Sequence, residues 1–310
     1  MSGAPTAADR GRAVVEEVVG LLDLVTVDPA TVTTDRLVPV AGVFSGRGTA
    51  RGTTRRYGGL IAAQALTAAA HTVRSGRPVH SLHAYFTRPG DSRRPVIYLV
   101  EALRDGPSMS ARRVVALQRD TPIFFLTASF HDPGSGPAHG RPAPEVPPPD
   151  EVPTLARLLA DAPGRLAAVQ DMLFAFDVRY LGPPPGGRRA DGERAGEAHR
   201  RAWVRVAGRL PDDASLHAGA LVLVSDLPLL LSAMVAGHAA EWGPGDLGVS
   251  IDHTVWFHRP CRADEWLLYD CDSPWAATGR GLATGRLYTR DGDLVATVAQ
   301  EALLLTRSAR

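Results

Sequence analysis

Two kinds of hydrophobic pattern alternate along the chain. Residues 57–73 and 216–237 are apolar on nearly every face of a helix, which predicts two buried helices. Apolar and polar residues then alternate along several short segments in 79–131, and again in 249–306, which predicts strands. A buried helix followed by a run of antiparallel strands, occurring twice, indicates an α+β fold.

The segment 249–260, VSIDHTVWFHRP, is predicted to be a central strand. Pro260 ends it, because proline cannot donate to a sheet ladder. Strict alternation places Ser250 on the polar face of this strand. The opposite face carries three apolar residues, which are Ile251, Val255 and Phe257.

An internal repeat relates the two halves of the chain. Residues 79–89 read VHSLHAYFTRP and residues 250–260 read SIDHTVWFHRP, an offset of 259 − 88 = 171. The same offset relates Tyr98 to Tyr269. A period this long is too large for a solenoid, so we expect two fused domain-sized copies.

The pattern divides the chain into four segments. Residues 1–35 form an N-terminal tail and helix, and 36–131 form the first unit. A Pro-rich linker and a connecting helix, predicted over 154–179, occupy 132–200. The second unit is predicted over 201–310.

Composition excludes several classes of protein. The chain has 310 residues, 45% hydrophobic and 22% charged, as in globular proteins. A net charge of +1 gives no field for nucleic acid or an anionic membrane. The longest apolar run, 218–236, contains Asp226 and Pro228, so we expect no membrane span. The absence of a secretory signal and the presence of only two cysteines predict a cytoplasmic protein.

Asp226 stands alone among apolar residues in the second predicted helix. A buried carboxylate must be strongly paired or carry a raised pKa, and either state is useful to an enzyme. The alternative is structural: Asp226 could cap a half-helix that restarts at Pro228.

The repeat makes Ser250 and Gln300 candidate functional residues. Each alone is more often structural, but the offset of 171 equates them with Val79 and Ser129. A polar set present in only one copy predicts one functional site per chain, in the second half.

Other motifs give weaker signals. His80 and His83, and likewise His253 and His258, are separated by odd spacings, so each pair points to opposite faces of its strand and predicts no metal site. Gly58-Gly59 opens the first buried helix. The two glycines could serve close packing, or expose backbone N–H groups that hold a substrate carbonyl oxygen.

The long motifs resemble one known family. In the first half they are YGGLIAAQAL, VHSLHAYFTRPGD and PVIYLVEALRDGPSMSARRVVALQ; in the second they are LHAGALVLVSDLPLL, IDHTVWFHRP and GRLYTRDGDLVATVAQE. Together they resemble acyl-CoA thioesterase II, the TesB-like family, over about residues 37–305. The resemblance implies a double hotdog fold: two fused units, each a long buried helix wrapped by an antiparallel sheet.

The resemblance also implies a catalytic set. In that family an Asp, a Thr and a Gln activate a water that attacks the thioester carbonyl. The Asp maps onto Asp226 and the Gln onto Gln300, whereas Ser250 holds the place of the Thr. Serine keeps the hydroxyl but lacks the methyl group that restricts the rotamer.

The expected activity is hydrolysis of fatty acyl-CoA to free acid and CoA, without a cofactor, a metal or a covalent intermediate. Asp226, Ser250 and Gln300 are the predicted catalytic residues, with Gly58 and Gly59 at the substrate. We also expect a homo-oligomer, either a dimer or a tetramer. A hotdog hydratase or dehydratase and a non-catalytic acyl-CoA-binding module are the alternatives.

Overall fold

The computed structural model describes residues 6–29, 39–49, 55–74, 76–158, 160, 173, 175–182, 199–235 and 247–305. The helices in these ranges are α1 (Ala7–Leu22), α2 (Gly58–His71), α3 (Leu155–Leu158) and α4 (Ala214–Val235). The strands are β1 (Val25–Thr26), β2 (Val40–Gly46), β3 (Val79–Phe86), β4 (Val96–Asp105), β5 (Met109–Gln118), β6 (Thr121–His131), β7 (Phe176–Leu181), β8 (His199–Val206), β9 (Leu247–Ser250), β10 (Asp252–Phe257), β11 (Leu267–Ala277), β12 (Arg280–Thr289) and β13 (Leu294–Leu305).

These strands form one antiparallel sheet. Its order is β1-β2-β4-β5-β6-β3-β10-β13-β12-β11-β8-β7, with β9 paired to β13 beside β10. The first half of the molecule comprises α2 and β2–β6, and the second comprises α4 and β7–β13. The β3–β10 ladder joins the two halves edge to edge.

The joint between the halves has local twofold symmetry. His83 on β3 lies opposite Thr254 on β10, and 254 − 83 = 171 is the repeat offset. The flanking pairs, related by the same offset, are Ser81 with Trp256 and Tyr85 with Asp252. The duplication predicted from the sequence is therefore confirmed in the strand pairing.

The two long helices pack against each other inside the curved sheet. Both are apolar nearly all round, so each needs cover on every side, and the partner helix together with the sheet supplies it. Two matched tyrosines, both fully buried, connect strands to helices: Tyr98 donates to Gln64 Oε1 at 2.7 Å, and Tyr269 to Ser225 O at 2.8 Å. This is the α+β double hotdog arrangement.

The second copy of the repeat has one residue more than the first in its last hairpin, which is β5–β6 in the first half and β12–β13 in the second. Gln118 pairs with Thr121 across a turn in the first half, whereas the Thr289 N–H reaches the Asp293 carbonyl in the second. The spans are 121 − 118 = 3 and 293 − 289 = 4. The offset is therefore 172 beyond this hairpin.

This insertion corrects one expected correspondence. The structural counterpart of Gln300 is Ala128, not Ser129. Leu82 pairs with Ala128 in the first half, and His253 lies beside Gln300 in the second.

A β-bulge overturns the predicted alternation around Ser250. Ser250 pairs with Ala302 and Thr254 with Ala299, so the strand advances by 254 − 250 = 4 residues while β13 advances by 302 − 299 = 3. The extra residue, at Ile251, reverses the alternation. Ser250 therefore faces the interior rather than the outer, polar face.

The connecting helix predicted over 154–179 is wrong at its end. Phe176–Leu181 is strand β7, which pairs with β8 at the edge of the second half. Alternating burial of Val178 and Tyr180 accompanies this pairing. The helical residues described in the segment are Leu155–Leu158, and 161–172 lies outside the described residues.

Candidate active site

Asp226 lies on α4 where this helix crosses the N-terminal end of α2. The side chain is 2% exposed, so its carboxylate needs protein partners. Oδ2 accepts the backbone N–H of Gly59 at 2.7 Å, and Oδ1 accepts the hydroxyl of Ser250 at 3.0 Å. Both partners are donors, as a buried carboxylate requires.

Asp226 caps a helix, but not its own. The structural alternative, a half-helix restarting at Pro228, is wrong, because α4 runs without a break from Ala214 to Val235. Tyr57, the N-cap residue of α2, makes no side-chain capping bond. Asp226 supplies the missing acceptor from the other half, and its negative charge lies at the positive end of α2.

Ser250 and Gln300 extend this contact into a chain of hydrogen bonds. The Gln300 amide donates from Nε2 to Ser250 Oγ at 2.7 Å, and Ser250 donates to Asp226. Gln300 is 1% exposed, whereas Ser250 is half-buried at the end of β9. The structure thus brings together the three side chains singled out from the sequence, with Ser250 between the other two.

His253 belongs to the same cluster, and sequence reasoning missed it. It is 0% exposed, with Nδ1 2.6 Å from Gln300 Oε1 and Nε2 2.9 Å from Ser225 Oγ. Burial lowers the pKa of His253, which outweighs the opposing effects of Asp226 and Asp252, so the ring is neutral at pH 7. The available signal was a histidine in phase with the apolar residues of a central strand.

The paired glycines are required by the close crossing of the two helices. A Cβ at Gly58 would lie 3.0 Å from Asp226 Oδ2 and from the Phe86 ring, and one at Gly59 would lie 2.8 Å from the Leu223 carbonyl oxygen. The expectation of a free Gly59 N–H for substrate is contradicted, because that group donates to Asp226.

The corresponding place in the first half is apolar. Leu82 and Ala128, both 0% exposed, occupy the positions of His253 and Gln300. Gly219, near the start of α4, lies next to α1 of the N-terminal segment. A Cβ at Gly219 would lie 3.2 Å from the Leu22 side chain of α1.

Comparisons with known proteins cover nearly the whole of this architecture. A family model described as acyl-CoA thioesterase matches residues 169–303, and one described as acyl-CoA thioesterase N-terminal domain matches residues 48–131. Acyl-coenzyme A thioesterase 8 of Homo sapiens is 38% identical over 266 residues, covering 81% of this chain and 80% of that protein. The chain belongs to the TesB-like acyl-CoA thioesterase II family. It is a thioester hydrolase.

Solved structures agree with this assignment. The crystal structure of an acyl-CoA thioesterase II, TesB2, from Mycobacterium marinum is 37% identical to this thioesterase, with a TM-score of 0.73. The match covers 94% of this chain and 100% of that one. A further relative, found by its sequence, is acyl-CoA thioesterase 2 of Haemophilus influenzae, which is 35% identical over 268 residues and covers 84% of this chain and 92% of that protein.

Other kinds of site find little support in the described part of the thioesterase. No three His, Cys, Asp or Glu residues there lie close enough together to hold a metal ion. Burial raises the pKa of the Cys261 thiol to about 11, so it is not a ready nucleophile at pH 7. None of the described helices is long and apolar enough to cross a membrane.

Proposed function

We propose that this thioesterase hydrolyses fatty acyl-CoA to free fatty acid and CoA by direct attack of water. The observation that carries the proposal is the hydrogen-bonded set Gln300–Ser250–Asp226, buried where α4 meets the glycine-rich end of α2. This set places a carboxylate that can act as a base next to a hydroxyl and an amide that can orient a water.

Asp226 acts as the general base. As the water oxygen attacks the carbonyl carbon, one water proton passes to the carboxylate. The tetrahedral intermediate then collapses, the carbon–sulfur bond breaks and the proton reaches the departing CoA sulfur. Water is consumed, acid and thiol are released, and the carboxylate is restored.

Ser250 and Gln300 orient the same water. Ser250 Oγ already donates to Asp226 and accepts from Gln300, so these bonds fix its remaining lone pair. A fixed acceptor beside the base aligns the attacking molecule and lowers the entropic part of the barrier.

Gly58 and Gly59 form the substrate side of the site. The absence of side chains at the start of α2 lets this helix end lie directly against Asp226. The positive end of the helix is thereby placed beside the base, where it stabilises the oxyanion. Because the Gly59 N–H donates to Asp226, this stabilisation comes from the helix end as a whole.

Each chain has one catalytic centre. The units predicted at 36–131 and 201–310 descend from one duplicated hotdog unit. The second unit also takes in β7 and the start of β8, and it carries the chemistry. Leu82 and Ala128 in the first half neither donate nor accept hydrogen bonds through their side chains, so they cannot orient a nucleophile.

Release of free thiol from acyl-CoA, followed with a thiol reagent, tests the proposal. Hydrolysis predicts one equivalent of thiol for each acid formed. A hydratase or dehydratase would change the acyl chain without releasing thiol, and a binding module would protect acyl-CoA unchanged. Either result would refute the proposed reaction. A series of acyl chain lengths then defines the substrate.

The thioesterase functions as a homo-oligomer in the cytoplasm, as part of fatty acid metabolism. Tyr85, Phe125 and Trp256 are 59%, 38% and 38% exposed near the joint of the halves, which supports an apolar contact with a second copy. Cys261 and Cys271, both among the described residues, are not joined in a disulfide bond, which fits a reducing compartment. Sedimentation equilibrium tests the assembly, and cell fractionation tests the compartment.

A further inference from the structure

His253 is a buried titratable side chain that the proposed hydrolysis leaves unused. Its two ring nitrogens have separate partners, Gln300 Oε1 at Nδ1 and Ser225 Oγ at Nε2. A neutral histidine donates from one nitrogen and accepts at the other, so its tautomer determines the direction of both bonds.

The hydrogen bonds around His253 close into a ring. Ser225 and Asp226 are adjacent on α4, and the path from one to the other runs through His253, Gln300 and Ser250. The four bonds measure 2.9, 2.6, 2.7 and 3.0 Å in that order. In such a ring the orientation of each donor depends on its neighbours.

The carboxylate sets one direction for the whole ring. Asp226 only accepts, so the Ser250 hydroxyl donates to it, and Ser250 Oγ then accepts from the Gln300 NH₂ group. Gln300 Oε1 is thereby turned towards His253. That oxygen requires a proton on Nδ1, and Nε2 accepts the hydroxyl proton of Ser225.

The opposite arrangement would disable Ser250. The Ser225 hydroxyl also lies 3.0 Å from the Val222 carbonyl oxygen, which gives its proton a second acceptor. With the His253 proton on Nε2 instead, the Gln300 amide would turn over and present Oε1 to Ser250. The Ser250 hydroxyl would then donate to Gln300 rather than to Asp226.

We propose that His253 is a positioning residue, whose Nδ1–H holds the Gln300 amide with its NH₂ group towards Ser250. This inference rests on the proposed catalytic role of Gln300. His253 acts through Gln300 and contacts neither water nor substrate.

The first half supplies a matched substitution. Leu82 occupies the equivalent position beside Ala128, and both are fully buried, so the fold accepts leucine there. His253→Leu is expected to lower kcat about 10- to 100-fold, because misplacing a group near the reacting atoms lowers the rate by about this factor. KM is expected to stay within about twofold, because no ground-state contact is lost. His253→Asn, whose amide can reach the Nδ1 position, is expected to restore part of kcat, and His80→Leu serves as the control.

A double-mutant cycle separates positioning from general packing. In a Gln300→Ala background, His253→Leu should change kcat no further, since the group it positions is gone. An equal loss in both backgrounds, or a wild-type kcat for His253→Leu alone, would overturn the proposal. Wild-type kcat for Gln300→Ala itself would instead refute the proposed catalytic set.

The tautomer can be measured on the wild-type protein. Nitrogen-15 spectra of the histidine rings above pH 7 should show His253 protonated at Nδ1 and bare at Nε2. The signal is assigned by its loss in His253→Asn or, should the His253 variants fail to fold, by its shift in Ser225→Ala. A proton on Nε2 would overturn the proposal.

Discussion

Asp226 and Gly59 are 167 positions apart in the chain, yet the carboxylate of one accepts the backbone N–H of the other at 2.7 Å. The contact makes Asp226 a helix cap in addition to the base proposed above, and the two roles can be separated. Asp226→Asn keeps an oxygen for Gly59 but removes the base, so turnover should fall about 100-fold or more with stability retained. Asp226→Ala removes both, and its free energy of unfolding should be about 1 kcal/mol lower than that of the Asn variant.

Thiol release and urea unfolding of these two variants measure the two roles separately. Near wild-type turnover in a folded Asn variant would refute the base. Equal unfolding free energies for the two variants would refute the cap.

Ser250 can be tested with two substitutions of nearly equal shape. Ser250→Thr keeps the hydroxyl and should retain kcat within about threefold. Ser250→Val replaces that hydroxyl with a methyl group and should lower kcat about 10- to 100-fold. Valine is what the first half carries at the matched position, Val79, so the Val variant should fold. Equal activities for the two variants would mean that the hydroxyl does not contribute.

Gln300 and Ser250 should behave as one unit. Gln300→Ala and Ser250→Ala are each expected to lower kcat, and the double variant should be little worse than the more impaired single variant, because both groups orient one water. Steady-state rates of the four proteins complete the cycle. Independent, multiplicative losses would contradict a shared water.

Acid should destabilise the protein through its buried histidines. Burial lowers the pKa of His253, so between its folded value and the ordinary 6.5 the unfolded chain binds more protons than the folded one. Its contribution to stability is full above pH 6.5 and is lost as the pH falls. The charges facing the ring, Asp226 and Asp252, oppose this effect but are outweighed by burial. The pKa of the buried His217 and that of the half-buried His80 are lowered as well, so both act in the same direction.

Urea titrations of the wild type and of His253→Leu between about pH 5 and 8 measure the His253 share. The wild type should lose more unfolding free energy on acidification than the variant. Identical slopes would show that His253 does not contribute.

Ser225 and His253 together resemble a nucleophile and its base, with Ser225 Oγ 2.9 Å from Nε2. Ser225 is fully buried within α4, and direct water attack needs no acyl-enzyme. Mass spectrometry of protein quenched during turnover should therefore detect no acyl adduct. Ser225→Ala should keep at least about a tenth of wild-type kcat. An ester on Ser225 would replace the single-displacement mechanism with a covalent one.

The sequence predicted the features that depend on pattern and missed those that depend on single residues. Apolar periodicity and the repeat were sufficient for the two helices and for the duplication, which the pairing of His83 with Thr254 confirms. The bulge at Ile251 was not visible, because strict alternation is the default for a strand. The extra residue in the last hairpin was hidden by a turn of similar composition.

The candidate site shows the same division. Asp226 stood out because a lone carboxylate in an apolar helix is costly. His253 did not, because its partners come from two distant segments that only the folded sheet and helix bring together. The second role of Asp226, as a cap for α2, was invisible for the same reason.

The capping contact also bears on how the two halves depend on each other. The acid belongs to the second half, whereas the helix end that holds it belongs to the first. Neither half, separated between β6 and β7, would possess the complete proposed centre, although the first half contributes none of its side chains. The first half is therefore needed to hold the acid in place, even though the proposed catalytic side chains all belong to the second half. Leu82 and Ala128 leave the first half without a counterpart of the His253–Gln300 pair, while its helix end still holds the acid of the second half.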